Sequence, residues 1–319
     1  MRILRRSSLW STVLLALVVG GAVALVGAQV RPVGALVGLA PALLILGIGL
    51  RRALRRWRTA RAPMPADWRR WLQTHVPLYR RLSDEGRRRF DRDVRFVLDE
   101  YTFEGVKGVE VTDALRLSVA AGAALLLHGR PTWELPGSRS VLFYPERFND
   151  DYYDSARGAY DGMAHQQGPI ILTAPAVEAS WARPADGDNV VLHELAHLFD
   201  FDSEGADGVP SLVAPATASS WQALVRREMR RVRDGQSILR PYAAEAPSEF
   251  FAVAVETFYE QPHRMADVHA DLFAALVAVF QFDPRAAQRV EPSEVRDGTA
   301  EEHAASQVTG PADDTDRRR

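Results

Sequence analysis

Two stretches near the start of this 319-residue chain, residues 9–28 and 33–50, contain no charged side chain and are separated by only four residues. A helix rises about 1.5 Å per residue, so roughly 20 residues cross a hydrocarbon core about 30 Å thick. The two runs with their short connection therefore predict a transmembrane helical hairpin. Gly20, Gly21, Gly27, Gly34, Gly38, Gly47 and Gly49 suit such a pair, where small residues let backbones approach, and suit a soluble helix poorly. Arg2, Arg5 and Arg6 precede the first run and Arg51, Arg52, Arg55, Arg56, Arg58 and Arg61 follow the second, with only Arg31 between them. Positive charge accumulates on the cytoplasmic side, so both ends are expected in the cytoplasm and the hairpin in the inner membrane. Two other readings compete. One is a signal peptide cleaved after Val26-Gly27-Ala28, which exports the rest; the other is a hairpin buried in a soluble core. The length of the first run, and the second run with its arginine stop, favour the retained hairpin.

The remaining chain divides by composition. Residues 51–66, rich in arginine, alanine and proline, read as a basic juxtamembrane linker near anionic lipid head groups. Residues 67–291 form the folded domain, and residues 292–319, polar and poor in large apolar side chains, are expected to be a disordered tail. Net charge is −2 and Lys107 is the only lysine, so no basic footprint for nucleic acid is present. Without cysteine, neither a disulfide framework nor a thiolate metal site is available, and any metal must be held by His, Asp or Glu. In the domain, Trp68, Trp71, Leu72, Val76 and Leu78 suggest one amphipathic helix, Ser83 caps a second and Thr112 a third. Short β-type runs at 141–144 and 170–173 predict a small sheet beside helices that return from Asn189 onward. The class is α+β, mostly helical with a small sheet.

One helix carries an anomaly. In "VVLHELAHLFDFD", residues 190–202, two histidines and a glutamate interrupt an otherwise apolar segment. His193 and His197 are four apart and share a helix face, so both reach a single cation. Glu194 lies too far round the helix to be a ligand and is placed to deprotonate a water beside the metal. A third ligand is required. Residues 242–260 offer Glu245, Glu249 and Glu256; Glu249, in the first turn after Pro247 and Ser248, is the choice, Glu256 on the same face is suited to orienting a ligand histidine, and Glu245 and Glu260 read as solvated. Asp200 either fixes a histidine tautomer or ends the helix. The run at 170–173 reads equally as a substrate-pairing edge strand or as a core strand. His128, His165, His263 and His269 read as surface or structural residues.

Residues 71–284 resemble the Mlc titration factor A family of zinc-dependent peptidases. The resemblance rests on "LFYPERF" at 142–148, "QQGPIIL" at 166–172, "NVVLHELAHLFDF" at 189–201, "DGVP" at 207–210 and "YAAEAPSEFFAVAVETFYEQP" at 242–262. It implies a zincin-like, gluzincin catalytic domain with one zinc on His193, His197 and Glu249, Glu194 as general base, and hydrolysis of a peptide or protein substrate, leaning toward aminopeptidase-like cleavage. The spacing from Tyr242 to Glu249 is also similar to the catalytic half of anthrax lethal factor, which implies Tyr242 as the hydroxyl facing the reacting carbonyl. The chain departs from the family's soluble members in its N-terminal hairpin and in Leu198, where they tend to carry lysine. The family's name implies a regulatory protein partner; the corresponding alternative is a membrane-tethered titration protein whose zinc is structural.

Overall fold

The computed structural model describes residues 1, 6–146, 162–163, 168–201 and 209–290. The uncharged runs form α1 (Arg6–Val30) and α2 (Leu39–Arg61), joined through a 3-10 turn at Pro32–Gly38. Gly27 faces the backbone of Gly34 so closely that a Cβ on either would overlap the other. By length and composition both helices are able to cross a membrane, and Leu14, Leu17, Leu43, Leu44 and Ile48 on their outer surface are exposed. The first eleven positions of the expected linker at 51–66 are helical: α2 runs unbroken to Arg61. Residues 51–61 contain neither glycine nor proline and are dominated by good helix formers, so the first stop is Pro63, two residues past the end.

The domain opens with α3 (Ala66–His75) and α4 (Pro77–Arg81). These were expected as one helix; Pro77 holds Val76 in an extended conformation and divides them. Then come α5 (Asp84–Glu100), β1 (Thr102–Gly105), α6 (Asp113–Leu127) and β2 (Ser140–Tyr144). Ser83 accepts the Gly86 N–H and Thr112 the Leu115 N–H, the caps read from the sequence. Beyond them lie β3 (Gly162–Met163), β4 (Ile170–Thr173), α7 (Ala174–Ala182), α8 (Val190–Phe201), α9 (Ala218–Arg233), α10 (Pro247–Glu260), α11 (Pro262–Val268), α12 (Ala270–Phe280) and a small hairpin of β5 (Phe282–Asp283) with β6 (Gln288–Arg289). The expected tail lies outside the described residues.

The sheet runs β1-β2-β4-β3, parallel except for β3. Strand β4 pairs with β2 on one side and, at Ile171 and Leu172, with β3 on the other, so it is an interior strand at those positions. The free-edge reading of 170–173 does not hold there. Helices α8 and α10 pack on each other inside a shell made by α6, α9 and α12. Phe251 and Phe258 of α10 meet Phe280 of α12 in a buried aromatic cluster, each side chain contributing about 1.5–3 kcal/mol of transfer free energy. That cluster fixes the rotation of α10, and with it the direction of the carboxylates on its other face.

Candidate metal centre

The start of α8 is set by Asn189, whose side-chain oxygen accepts the Leu192 N–H at 3.1 Å. One turn apart on this helix, His193 and His197 place their rings 4.8 Å centre to centre, edge to face. Helix α10 begins with a proline in its first turn, which needs no N–H there, and brings Glu249 up to both histidines. Glu249 Oε2 lies 3.1 Å from His193 Nε2 and 3.5 Å from His197 Nε2. The three donors are the one group of metal-ligating side chains that converges in this way among the described residues. Tetrahedral coordination with bonds of about 2.0–2.1 Å separates ligand atoms by about 3.3 Å, which the two Glu249 separations match, and all three donor atoms lie within 4.8 Å of one another. Electrostatics agree. Although burial opposes a charge on His193, hydrogen bonds with Glu249 and Glu256 raise its pKa to about 10. Burial likewise opposes ionisation of Glu249, yet bonds from the two histidines hold it well below the usual carboxylate range. The donor set calls for positive charge, which a proton supplies when no metal does.

Behind these donors, the Nδ1–H of His193 donates to Glu256 Oε1 at 2.8 Å, which would leave Nε2 to face a cation. Glu256 is itself held by Arg240, 2.6 Å from the same oxygen, and by the backbone N–H of Asn189 on the other. Arg240 also pairs with Asp188 at 3.2 Å. The sequence reading found Glu256 but not Arg240, which precedes Pro241 in a 3-10 turn and shares no periodicity with its partner. Asp200 is fully buried near the end of α8, and the carboxylate that reaches His193 is that of Glu256.

Glu194 is buried, and burial raises its pKa against the opposing charges of His193 and His197. Strand β3 passes directly over it: a Cβ on Gly162 would lie 2.6 Å from the Glu194 side chain, so any larger residue there would displace that carboxylate. Tyr242 stands 5.9 Å from His193, ring to ring, with burial and the Glu249 charge keeping its phenol protonated. Glu245 is exposed, as read. Glu260 is not: its carboxylate accepts from the Gly187 N–H and the Asn189 side chain, and burial lifts its pKa to about 7. The reason is that α10 ends beneath the loop leading into α8. Of the other histidines, His263 is exposed, His128 and His269 are buried, and His165 lies outside the described residues.

Imidazole and carboxylate donors that converge where a cation could sit, with a buried carboxylate beside them, are the arrangement a metallopeptidase requires. Sequence comparison narrows the class. The family described as glucose-regulated metallo-peptidase M90 matches residues 51–281, and the chain belongs to it. Among relatives, Mlc titration factor A of Cronobacter sakazakii is 30% identical over 246 residues, 70% of this chain and 88% of that protein. The Yersinia enterocolitica protein of the same name is 27% identical over 241 residues, covering 70% and 88%. An uncharacterized protein of a Synechocystis strain is 28% identical over 238 residues, covering 70% and 86%.

Proposed function

We propose that the chain is a zinc-dependent peptidase of the inner membrane whose catalytic domain faces the cytoplasm. His193, His197 and Glu249 hold the ion, and the observation that carries this reading is the convergence of their three donor atoms to within 4.8 Å of one another. Zinc bound there supplies Lewis acidity, polarising a carbonyl and making water easier to deprotonate. Glu194 accepts that proton, for which its burial-raised pKa suits it, and returns it to the leaving amine. Tyr242 donates its phenolic hydrogen to the oxyanion that develops on the carbonyl. Glu256 and Arg240 keep His193 in the tautomer that presents Nε2. Peptide or protein is the substrate class, with small aminopeptidase-type substrates the first to try.

The test is metal analysis of the purified full chain together with cleavage of a peptide library before and after chelation. One zinc per chain and cleavage lost on chelation are expected. A metal-free chain, or cleavage that survives chelation, defeats the proposal. Placement has its own test: alkaline phosphatase fused after Arg61 should be inactive and a fluorescent protein there bright, and the reverse pattern would mean an exported domain. The relatives' name, Mlc titration factor A, supports a second reading, capture of a regulatory protein with zinc as a structural element. The presence of Glu194 beside the ligands favours hydrolysis, since a structural site needs no general base.

A further inference from the structure

Helix α2 leaves its apolar run as a two-faced helix, and its arginines divide between the faces. Arg52, Arg55, Arg56 and Thr59 recur at i, i+3, i+4 and i+7, which is one side of a helix. All four engage acids of the domain. Arg52 donates to Glu100 at 2.7 Å and Glu134 at 2.8 Å, Arg55 to Asp99 at 2.7 Å, Arg56 to Glu100 and, at 2.7 Å, to Glu134, and the Thr59 hydroxyl to Asp99 at 3.3 Å. Arg139 adds bonds to the same two glutamates. Burial opposes the charge on Glu100, but its bonds with Arg56 and Arg52 prevail and hold its pKa at about 2. From α5, Arg95 donates to the carbonyls of Thr59 and Ala62 and fastens the helix end. A part-buried network of this kind orders a helix in a way that single surface pairs do not.

Leu54, Trp57, Arg58 and Arg61 show the same spacing displaced by two residues, about 200° round the helix, and so form the opposite face. All four are exposed. The Arg61 guanidinium lies 3.7 Å from the centre of the Trp57 ring, and among the described residues Arg51, Arg58 and Arg61 have no acidic partner. Leu50 and Leu43 stand four and eleven residues before Leu54, on the same line. Along this line the side chains pass from aliphatic to aromatic to cationic, the order in which a lipid leaflet passes from hydrocarbon to interface to head group.

We propose that the face formed by Leu54, Trp57, Arg58 and Arg61 docks on an anionic lipid head-group layer, and that the opposite face welds the catalytic domain to α2, so that the domain sits over the bilayer in one orientation. The proposal rests on the membrane reading above and deepens it: three of the six arginines after the second apolar run are engaged by the domain and only Arg51, Arg58 and Arg61 remain for lipid. Leu54 and Trp57, which water would leave costly, are covered by the same contact.

The chain lacks cysteine, so Leu54→Cys and Thr59→Cys each give one labelling site in the full-length protein. With a polarity-sensitive fluorophore attached and the protein reconstituted in phosphatidylcholine vesicles with or without phosphatidylglycerol, the label at 54 should be quenched by head-group spin-labelled lipid several-fold more than the label at 59. The difference should grow with phosphatidylglycerol. Arg55→Cys, on the domain side, repeats the second reading should a label at 59 disturb the contact. Combining Arg58→Glu with Arg61→Glu should remove the phosphatidylglycerol dependence while the chain stays in the vesicles through an alkaline wash. Equal quenching on both sides, or a label at 54 reached by aqueous iodide whatever the lipid, overturns the docking face. Release of the chain by the wash is a different result; it removes the membrane reading, and the docking face with it.

Discussion

The domain contains two buried histidines built in the same way, and they end differently. His193 donates Nδ1–H to Glu256, which Arg240 braces; His269, between α11 and α12, has its Nδ1 2.6 Å from Glu228 of α9, which Arg227 and Arg231 brace. In both, the carboxylate faces Nδ1 and leaves Nε2 as an acceptor. At His269 the protein fills that position, with the Ile238 N–H at 3.3 Å and the Ser237 hydroxyl at 3.1 Å. At His193 the position faces Glu249 and lies beside the second histidine. A histidine locked by glutamate and arginine is therefore an architectural unit, and what stands at its far nitrogen decides whether it closes a loop or is left facing other potential metal donors.

The largest effect that sharpens this contrast is loss of the ion itself. His193→Ala should leave the purified chain without stoichiometric zinc, whereas His269→Ala should keep the zinc and lose thermal stability instead; metal analysis beside a melting curve separates them, and zinc retained by His193→Ala would erase the distinction. Next comes Glu194→Gln, which has no counterpart in the second cluster: zinc should remain while turnover falls by roughly 10²- to 10⁴-fold. Removing the braces should give smaller, opposite signatures. Glu256→Gln should weaken zinc binding by about 10- to 100-fold in a competition titration. Glu228→Gln should leave that titration unchanged and lower unfolding stability by about 1–3 kcal/mol. The smallest effect is in the pH dependence. In metal-free chain the His193 pKa, about 10 against about 6.5 unfolded, contributes stability that is full below pH 6.5 and fades as pH rises toward 10. Burial works against ionisation of Glu228, but His269 and the arginines lower its pKa, so its contribution is present above about pH 4.3 and fades as pH falls. Zinc should abolish the alkaline loss and add an acid loss of its own, because protonation of its histidine ligands releases it. Melting curves of loaded and chelated protein across pH would show an alkaline limb in both if the two clusters were equivalent.

The part of this design that was legible in the sequence is local. The spacing of His193, Glu194 and His197 within an apolar helix, the caps at Ser83 and Thr112, and the position of Glu249 in a first turn all follow from residues within one or two helical turns of each other. Partners that meet only through tertiary packing were not legible. Arg240 lies sixteen positions before Glu256, in a turn with no period to announce it. His269 finds Glu228 from another helix, and Glu260 is covered by a loop more than seventy positions earlier. Strand β4 read as an edge or a core strand because its alternation is silent about neighbours, and β3, two residues long, is too short to leave a pattern. The arginines of α2 read as a lipid-facing cluster because their acidic partners, Asp99, Glu100 and Glu134, are remote in sequence.

Helix α10 carries one proposed ligand, Glu249, and the partner of another, Glu256 beside His193, two turns apart on one rigid rod whose other side is clamped by Phe251, Phe258 and Phe280. On the proposed reading, an ion bound there would be a gauge of how that rod is seated. A rotation of a few degrees moves both carboxylates together and in the same sense, so a shaved aromatic ring in the core is read out at the centre as a misaligned chelate rather than only as a softer interior. Under mutational drift, the residues that police this chemistry extend well beyond those that touch it, into a hydrophobic cluster that carries no polar atom of its own.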